Sequence, residues 1–297
     1  MSRVRSFGLV FGRLYSSVLF VILSTTPSLA QVTPIPYYGT SFYSDAVYGS
    51  SLSDKSLLRA IRIIVSSAHL RRDGQMDEVG GDACDTAQKN CYQHTPIGYK
   101  TARKVIMGEL HLIGDSSIAE VYCQKPYTSE DFKGNQTPPG HDVIPSNTVI
   151  NVEHTWPQSR FNSEMDTNSQ KSDLHHLFPA DSGMNSIRGN KKFGEVAESV
   201  IELPCSTSKM GPIPGYGEDY FEPPDAHKGN VARALFYFSV RYQIHIDDEE
   251  EEFLKKWNQL DPVDADEVYR NDEILRIQGN RNPFVDFPEL ANRIQDF

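Results

Sequence analysis

The sequence predicts one mixed α+β domain, mostly helices around a small central sheet, and three observations lead there. Apolar residues recur at helical spacing in several separated stretches. Short β-branched runs, of which T-V-I-N-V-E-H at 148–154 is the clearest, lie between Pro- and Gly-rich loops. No internal repeat or interdomain linker interrupts the chain, whose 297 residues, 38% apolar and 23% charged, are those of an ordinary soluble protein.

The N-terminus differs from the rest. Arg3, Arg5 and Arg13 precede the apolar run Val18–Leu23, and Ser28-Leu29-Ala30 supplies a cleavage site. Residues 1–30 are therefore expected to be a secretory signal peptide, with 31–297 as the mature domain beginning at Gln31. The apolar run is too short to span a bilayer, so no membrane contact is expected of the mature form. Removing 1–30 takes away three arginines and no acid, leaving 26 Lys and Arg against 40 Asp and Glu, a net charge of −14. That sign argues against tight electrostatic capture of a polyanion and for a transiently bound one. The continuous acids Asp247 to Glu252 are expected to form a solvated helix N-terminus, where anions suit the dipole.

The elements follow in order. Residues 31–50 carry prolines, glycines and tyrosines without helical period and predict an irregular lead-in. Leu57, Leu58, Ile61 and Ile64 form one stripe behind Ser53 or Asp54, so a helix is expected over about 53–69. Residues 73–95, rich in Gly, Asp and Cys, read as a loop, a second helical stretch covers about 97–109, and 118–123 alternates like a short strand. After the strand at 148–154, helices are expected around Val231–Val240, Phe253–Trp257 and Ile274–Ile277. The four cysteines suit two disulfides in an exported chain, with Cys84–Cys91 and Cys123–Cys205 the favoured one of three pairings.

The chemistry concentrates in N-V-E-H-T-W-P-Q at 151–158 and S-D-L-H-H-L-F-P-A-D-S-G-M-N-S-I-R-G-N at 172–190. Glu153 and His154 are neighbours, whose side chains would leave a regular strand on opposite faces; to serve one site they must sit at a strand end or bulge. In the second segment Leu174 and Leu177 have core spacing, Pro179 is expected to limit regular structure, and Asn185 to open a polar turn into Arg188-Gly189-Asn190. A hard ion such as Mg²⁺ takes one or two protein oxygens with water completing the octahedron, a count that the Glu153 carboxylate and the Asn185 amide oxygen meet. His154 would then be a general base rather than a ligand, and Arg188 a bidentate clamp on a phosphate. These parts compose a one-metal phosphodiesterase. A zinc phosphoesterase using His154, His175 and His176 as ligands, and a silent nucleic-acid-binding module, are the competing readings.

Together with F-G-E at 193–195, the A-R-A-L-F-Y-F helix after Lys228-Gly229 and Q-G-N-R-N-P-F-V-D-F-P-E at 278–289, these segments resemble the bacterial endonuclease I family from about residue 50 to the C-terminus. The resemblance implies an exported, largely sequence-nonspecific endonuclease that cleaves DNA, with RNA as a further substrate, and leaves 5′-phosphate ends. It also implies a ββα-metal, or His-Me finger, site in a mostly helical body that acts as a monomer. Matched position by position, the general base falls on His154, the ligands of Mg²⁺ (or Mn²⁺ or Ca²⁺) on Glu153 and Asn185, and the phosphate clamp on Arg188.

The interval between the two segments is short compared with relatives that carry a cysteine-bearing insertion, and Lys171 stands where such members can have an acid. Arg160 or Lys191 is expected to replace the phosphate contact that the insertion supplies, with Asn190, Lys228 and Arg233 as further substrate contacts. Asp173 and His175 are expected to support the site from behind, and His176, where many relatives have asparagine, to lie on the surface.

Overall fold

Helix α2 (Asp54–Ser66) forms where the apolar stripe predicted it: Leu57, Ile61, Ile64 and Val65 are buried, and Ser53 caps it reciprocally with Ser56. It follows a lead-in that is more ordered than its composition suggested, with a short helix α1 (Gly39–Phe42) running into a π-helical turn. Tyr37, Tyr38, Phe42 and Tyr43 of this lead-in are buried, because aromatic packing rather than helical period fixes it. The computed structural model describes residues 33–81, 83–85 and 89–297, and Ile35–Phe297 form one compact unit. The expected signal peptide and its junction at Gln31 lie outside the described residues.

The stretch 73–95, expected as a loop, contributes strands β2 (Glu78–Val79) and β3 (Cys91–Tyr92), which flank β1 (His69–Leu70) in an antiparallel sheet. Strands of two residues have no alternation to read; the Cys84–Cys91 disulfide ties this region. Helix α3 (Tyr99–Val105) passes into a second π-helical turn, Ile106–Leu110, where Gly108 lies so close to the next loop that a Cβ would come within 2.7 Å of the Asp142 nitrogen. Strands β4 (Leu112–Ile113), β5 (Ser117–Ala119) and β6 (Pro126–Tyr127) make a second small sheet. The Cys123–Cys205 disulfide ties the loop after β5 to a region 82 residues on, and both bridges are the favoured pairing.

The central pair is β7 (Ile150–His154) and β8 (Leu177–Asp181), antiparallel with Glu153 opposite Phe178 and His154 opposite Leu177. Helix α4 (Thr167–Ser172) lies between them in sequence, and α5 (Ser182–Arg188) follows β8. Pro179 does not interrupt β8, contrary to expectation. Its carbonyl accepts from the Val121 amide (3.0 Å), facing away from β7, so the missing N–H falls on the outer edge and no bond of the ladder is lost. Asn185 likewise lies inside a helix rather than in a polar turn, because Asp181 caps α5 by accepting from the Met184 amide (2.8 Å).

The remainder is a hairpin, β9 (Lys209–Pro212) and β10 (Asp219–Glu222), and helices α6 (Lys228–Tyr242), α7 (Asp248–Leu260), α8 (Ala265–Gln278) and α9 (Pro283–Asp286). The expected single central sheet is thus four small antiparallel sheets among the described residues. Helix α6 is buried on nearly every side, as its apolar sequence requires. The acidic run does open α7, but only in part to water: Glu250 accepts from the Phe193 amide and Glu251 from the Phe297 amide, both 2.9 Å and both buried. The β7–β8 pair separates two cores: Ile150, Val152, Leu174 and Leu177 pack on one side, and Ala180 and Met184 on the other, against α6.

Candidate active site

His154 is the last residue of β7, so the strand-end placement that the sequence demanded is present. Its imidazole is 7% exposed and ringed by Tyr99 (5.3 Å between centroids), His176 (5.3 Å) and Phe161 (6.2 Å). Nε2 lies 3.1 Å from the Lys171 carbonyl. A carbonyl only accepts, so Nε2 carries the hydrogen and Nδ1 keeps its lone pair, 3.4 Å from the Gln158 amide nitrogen. Burial, reinforced by the charges of Lys171 and Arg188, pulls the imidazole down to about 4, although the Lys171 carbonyl works the other way. His154 is therefore neutral at pH 7, with its basic nitrogen defined.

Glu153 leaves the other face of β7, with Asn151 two residues before it on the same side. Helix α5 presents Asn185 and Arg188, three residues apart, to this face. Asn185 Nδ2 donates to Asn151 Oδ1 (2.7 Å), and Arg188 Nη1 donates to Glu153 Oε1 (2.7 Å). Asn151 is held in turn, its Nδ2 donating to Ser182 Oγ (3.2 Å). The amide of Asn185 is thus fixed by its nitrogen, leaving its oxygen for a ligand. Burial pushes the Glu153 carboxyl up to about 7, against the pull of Arg188 and of the nearby Tyr122 hydroxyl. That hydroxyl, fully buried beside Glu153, makes no hydrogen bond of regular geometry among the described residues. A buried acid, an amide oxygen and a buried tyrosine hydroxyl without a regular hydrogen bond form a donor set of the hard-oxygen type that Mg²⁺ fits.

Arg188 departs from its expected role as a phosphate clamp. Its side chain is 1% exposed; Nη1 also donates to the His154 carbonyl (2.9 Å) and Nη2 to the Thr155 carbonyl (2.6 Å), while Phe193 covers the guanidinium. It orients Glu153 and the strand end and has no face toward a substrate. Three of the other expected contacts are also engaged elsewhere. Arg160 pairs with Glu250 (3.1 Å) and Asp247 (3.6 Å), Lys228 with Glu222 and Asp225 (2.7 Å each), and Arg233 is buried against Glu267 between α6 and α8. Lys191 donates to the Ile187 carbonyl (3.2 Å), and Asn190 is exposed.

Behind the site, Asp173 is buried and accepts from the hydroxyls of Tyr237 (2.8 Å) and Tyr242 (2.9 Å), from Gln278 Nε2 (2.8 Å) and from the His175 amide (3.1 Å). Burial works against its charge, but His94, His175, His176 and Gln278 outweigh it and hold the carboxyl well below the usual range. Gln278 Oε1 also accepts from the Leu174 amide (2.8 Å), so the 278–289 motif ties the D-L-H-H turn to α8.

His176 corrects the sequence reading. It is fully buried, with Nε2 on the Gln170 carbonyl (2.8 Å), and it is this ring that packs against His154, whereas His175 packs on Tyr237. His154, His175 and His176 each lie within hydrogen-bonding distance of a different backbone carbonyl, and among the described residues they do not converge as a zinc ligand set. Asn151, Tyr122 and Gln158 were missed. Period-2 spacing from Glu153 is the signal that could have found Asn151.

Two antiparallel strands and a helix, carrying a buried acid, an amide and a neutral histidine, define the class: a ββα, or His-Me finger, unit in a mostly helical α+β body. The chain belongs to the endonuclease I family, whose model, Endonuclease I, matches residues 85–289. It is similar to an extracellular ribonuclease of Bacillus amyloliquefaciens, 37% identical over 162 residues that are 48% of this chain and 53% of that one. It is also similar to an extracellular and a periplasmic deoxyribonuclease of Aeromonas hydrophila, 30% and 29% identical over 120 residues. Those matches take in 40% of this chain and 50% and 49% of theirs. The chain spans about half the length of the curated relatives it matches. Among the described residues no helix is long and apolar enough to cross a membrane.

Proposed function

We propose that the protein is an exported, divalent-metal-dependent endonuclease that hydrolyses DNA, and RNA as a further substrate, without strong sequence preference, and leaves 5′-phosphate ends. The observation that carries this reading is the neutral His154, with Nε2–H fixed by a backbone carbonyl, at the end of the strand that also holds Glu153. Glu153 and Asn185 would hold the ion, Mg²⁺ first and Mn²⁺ or Ca²⁺ by the same oxygen chemistry. When bound, the ion supplies charge neutralisation at the phosphate and at the departing 3′ oxygen. His154 Nδ1 takes a proton from a water that attacks phosphorus on the side opposite that oxygen. Arg188 and Asn151 hold the acid and the amide in register, and Asp173 and His176 fix the turn and the ring behind His154. Export through a 1–30 leader and action as a monomer belong to the same reading; the relatives named extracellular and periplasmic support the first.

The test is nicking of a supercoiled plasmid, and cleavage of an RNA, by purified protein with Mg²⁺ or with EDTA, and by His154→Ala with Mg²⁺. Cleavage should require the ion, and the variant should lose about 10²–10⁴ in rate per folded molecule. A wild-type protein that leaves both polymers intact with Mg²⁺, Mn²⁺ and Ca²⁺ overturns the reading in favour of a binding module.

A further inference from the structure

A nuclease needs cations that are free to meet phosphate, and Arg160, Arg188, Lys228 and Arg233 are each paired with a carboxylate. Lys171 and Arg103 are not. Neither has a carboxylate partner among the described residues, in a chain with 40 acids and 29 Lys and Arg. Both approach the same ring. Lys171 Nζ lies 4.9 Å from the centroid of Tyr99 and Arg103 Cζ 5.8 Å from it, and that ring is 5.3 Å from the imidazole of His154. Tyr99 and Arg103 are one turn apart on α3, and Lys171 is in the last turn of α4, which packs on α3. All three side chains are half-buried, so the two charges are held in place against the aromatic face.

A purely structural role explains this poorly. Two like charges against one ring repel, and an exposed cation–π contact is worth only about 0.5–1 kcal/mol. Other partly buried cations meet an acid, as Arg160 does, or backbone carbonyls, as Arg270 and Arg293 do, whereas among the described residues the Lys171 and Arg103 side chains have neither. A pair of anchored cations left without one, beside the neutral base, is what a phosphate group would complete.

We propose that Lys171 and Arg103, braced by Tyr99, bind a backbone phosphate of the nucleic-acid strand next to the phosphate that faces His154. The inference rests on the endonuclease reading of that site and gives it its substrate-binding edge. The contact carries no sequence information, since phosphates are alike along any strand. It also places the substrate on the α3–α4 side of His154.

The experiment measures binding of the full-length protein to a fluorescent single-stranded DNA, to the RNA of the same sequence and to the duplex, in EDTA, from about 50 to 200 mM salt. The variants are Lys171→Gln, Arg103→Gln and Arg160→Gln; glutamine keeps the stem packing and removes the charge. Lys171→Gln and Arg103→Gln should each weaken binding about 5- to 10-fold and flatten the plot of log K against log salt by about 0.7 per charge on single strands and about 0.9 on duplex. Arg160→Gln should leave the slope as it is. With Mg²⁺ the first two should raise KM and leave kcat within about threefold. Tyr99→Phe should behave as wild type, and Tyr99→Leu like the loss of one charge.

Unchanged slopes in the first two variants of a protein that still cleaves overturn the phosphate contact and leave the nuclease reading standing. A loss confined to RNA overturns it in favour of a 2′-hydroxyl contact. If wild type binds with a salt slope that both variants reduce yet never cleaves, the nuclease reading falls and the phosphate contact stands.

Discussion

Of the buried arginine–carboxylate pairs among the described residues, the one that Arg233 makes is complete and the one that Arg188 makes is not. Arg233 meets Glu267 with both ends of its fork, Nε on Oε1 (2.9 Å) and Nη2 on Oε2, while Nη1 donates to Asn258 Oδ1 (3.2 Å) and the Asp261 carbonyl (2.9 Å). Gly229 closes over it, where a Cβ would come within 2.1 Å of the Asp261 carbonyl oxygen. Arg188 meets only one oxygen of Glu153. Its Nε has no acceptor among the described residues, and the adjacent Tyr122 hydroxyl lies near enough to Glu153 to pull its carboxyl down but makes no hydrogen bond of regular geometry. A structural pair saturates its own hydrogen bonds, because an unmet buried polar group costs about 1–3 kcal/mol. The pair at the end of β7 carries that cost, and a cation bound at Glu153 would offset the part that falls on oxygens.

Neutralising the two acids should therefore have opposite consequences. Glu153→Gln can turn its amide so that the oxygen still accepts from Arg188, which also keeps the His154 and Thr155 carbonyls, so its loss of stability should be smaller than that of Glu267→Gln. Activity with Mg²⁺ should fall by about 10²–10³, the loss of several kcal/mol of charge stabilisation. Glu267→Gln must turn an amide nitrogen toward one of two guanidinium donors, so it should lose about 3–5 kcal/mol of stability, yet cleave at the wild-type rate per folded molecule. Chemical denaturation and single-turnover cleavage of the same preparations read both. Equal destabilisation, or equal loss of rate per folded molecule, would erase the distinction between the pairs.

The difference between the pairs was only half legible in the sequence. Glu153-His154 at the end of a β-branched run announced the strand end, because Thr155-Trp156-Pro157 ends the ladder there. The Cys84–Cys91 disulfide and the long helices were legible from spacing, since local geometry suffices for them, and Cys123–Cys205, 82 residues apart, followed as the remaining pair. The direction of Arg188 was not. Reading it needs the knowledge that Asp181 starts a helix, which puts residues 185 and 188 on the face toward β7. His175 and His176 sit in a 3₁₀ turn after Asp173, where adjacent side chains diverge, and nothing in the sequence says which meets His154. Lys171 reaches Tyr99 across 72 residues of sequence, a contact that only the packing of α4 on α3 creates.

The amide ligand offers a finer test of the incomplete pair. Asn151 is the sole hydrogen-bond partner of the Asn185 side chain among the described residues, so Asn151→Ala frees the amide to rotate without touching Glu153. Affinity for Mg²⁺ should fall about 10- to 100-fold, as for other side chains that orient a ligand. Calorimetric titration should show this loss, and saturating Mg²⁺ should restore most of the rate. A variant with unchanged affinity would mean that Asn185 does not bind the ion.

The smallest effect is a proton. With burial pushing the carboxyl of Glu153 up to about 7, a share of the ion-free molecules carry it protonated near neutral pH, and that share grows as the pH falls. A divalent cation binds the ionised form, so binding should release protons, more at pH 6 than at pH 8. Affinity should accordingly fall as the pH drops below 7. His154, at about 4, stays neutral over that range and contributes nothing to the release. Calorimetry at pH 6 in two buffers of different ionisation enthalpy measures the count, and Glu153→Gln should abolish it. A count of zero in wild type would mean that the acid is already ionised without the ion, and that its pair with Arg188 is as complete as the one Arg233 makes.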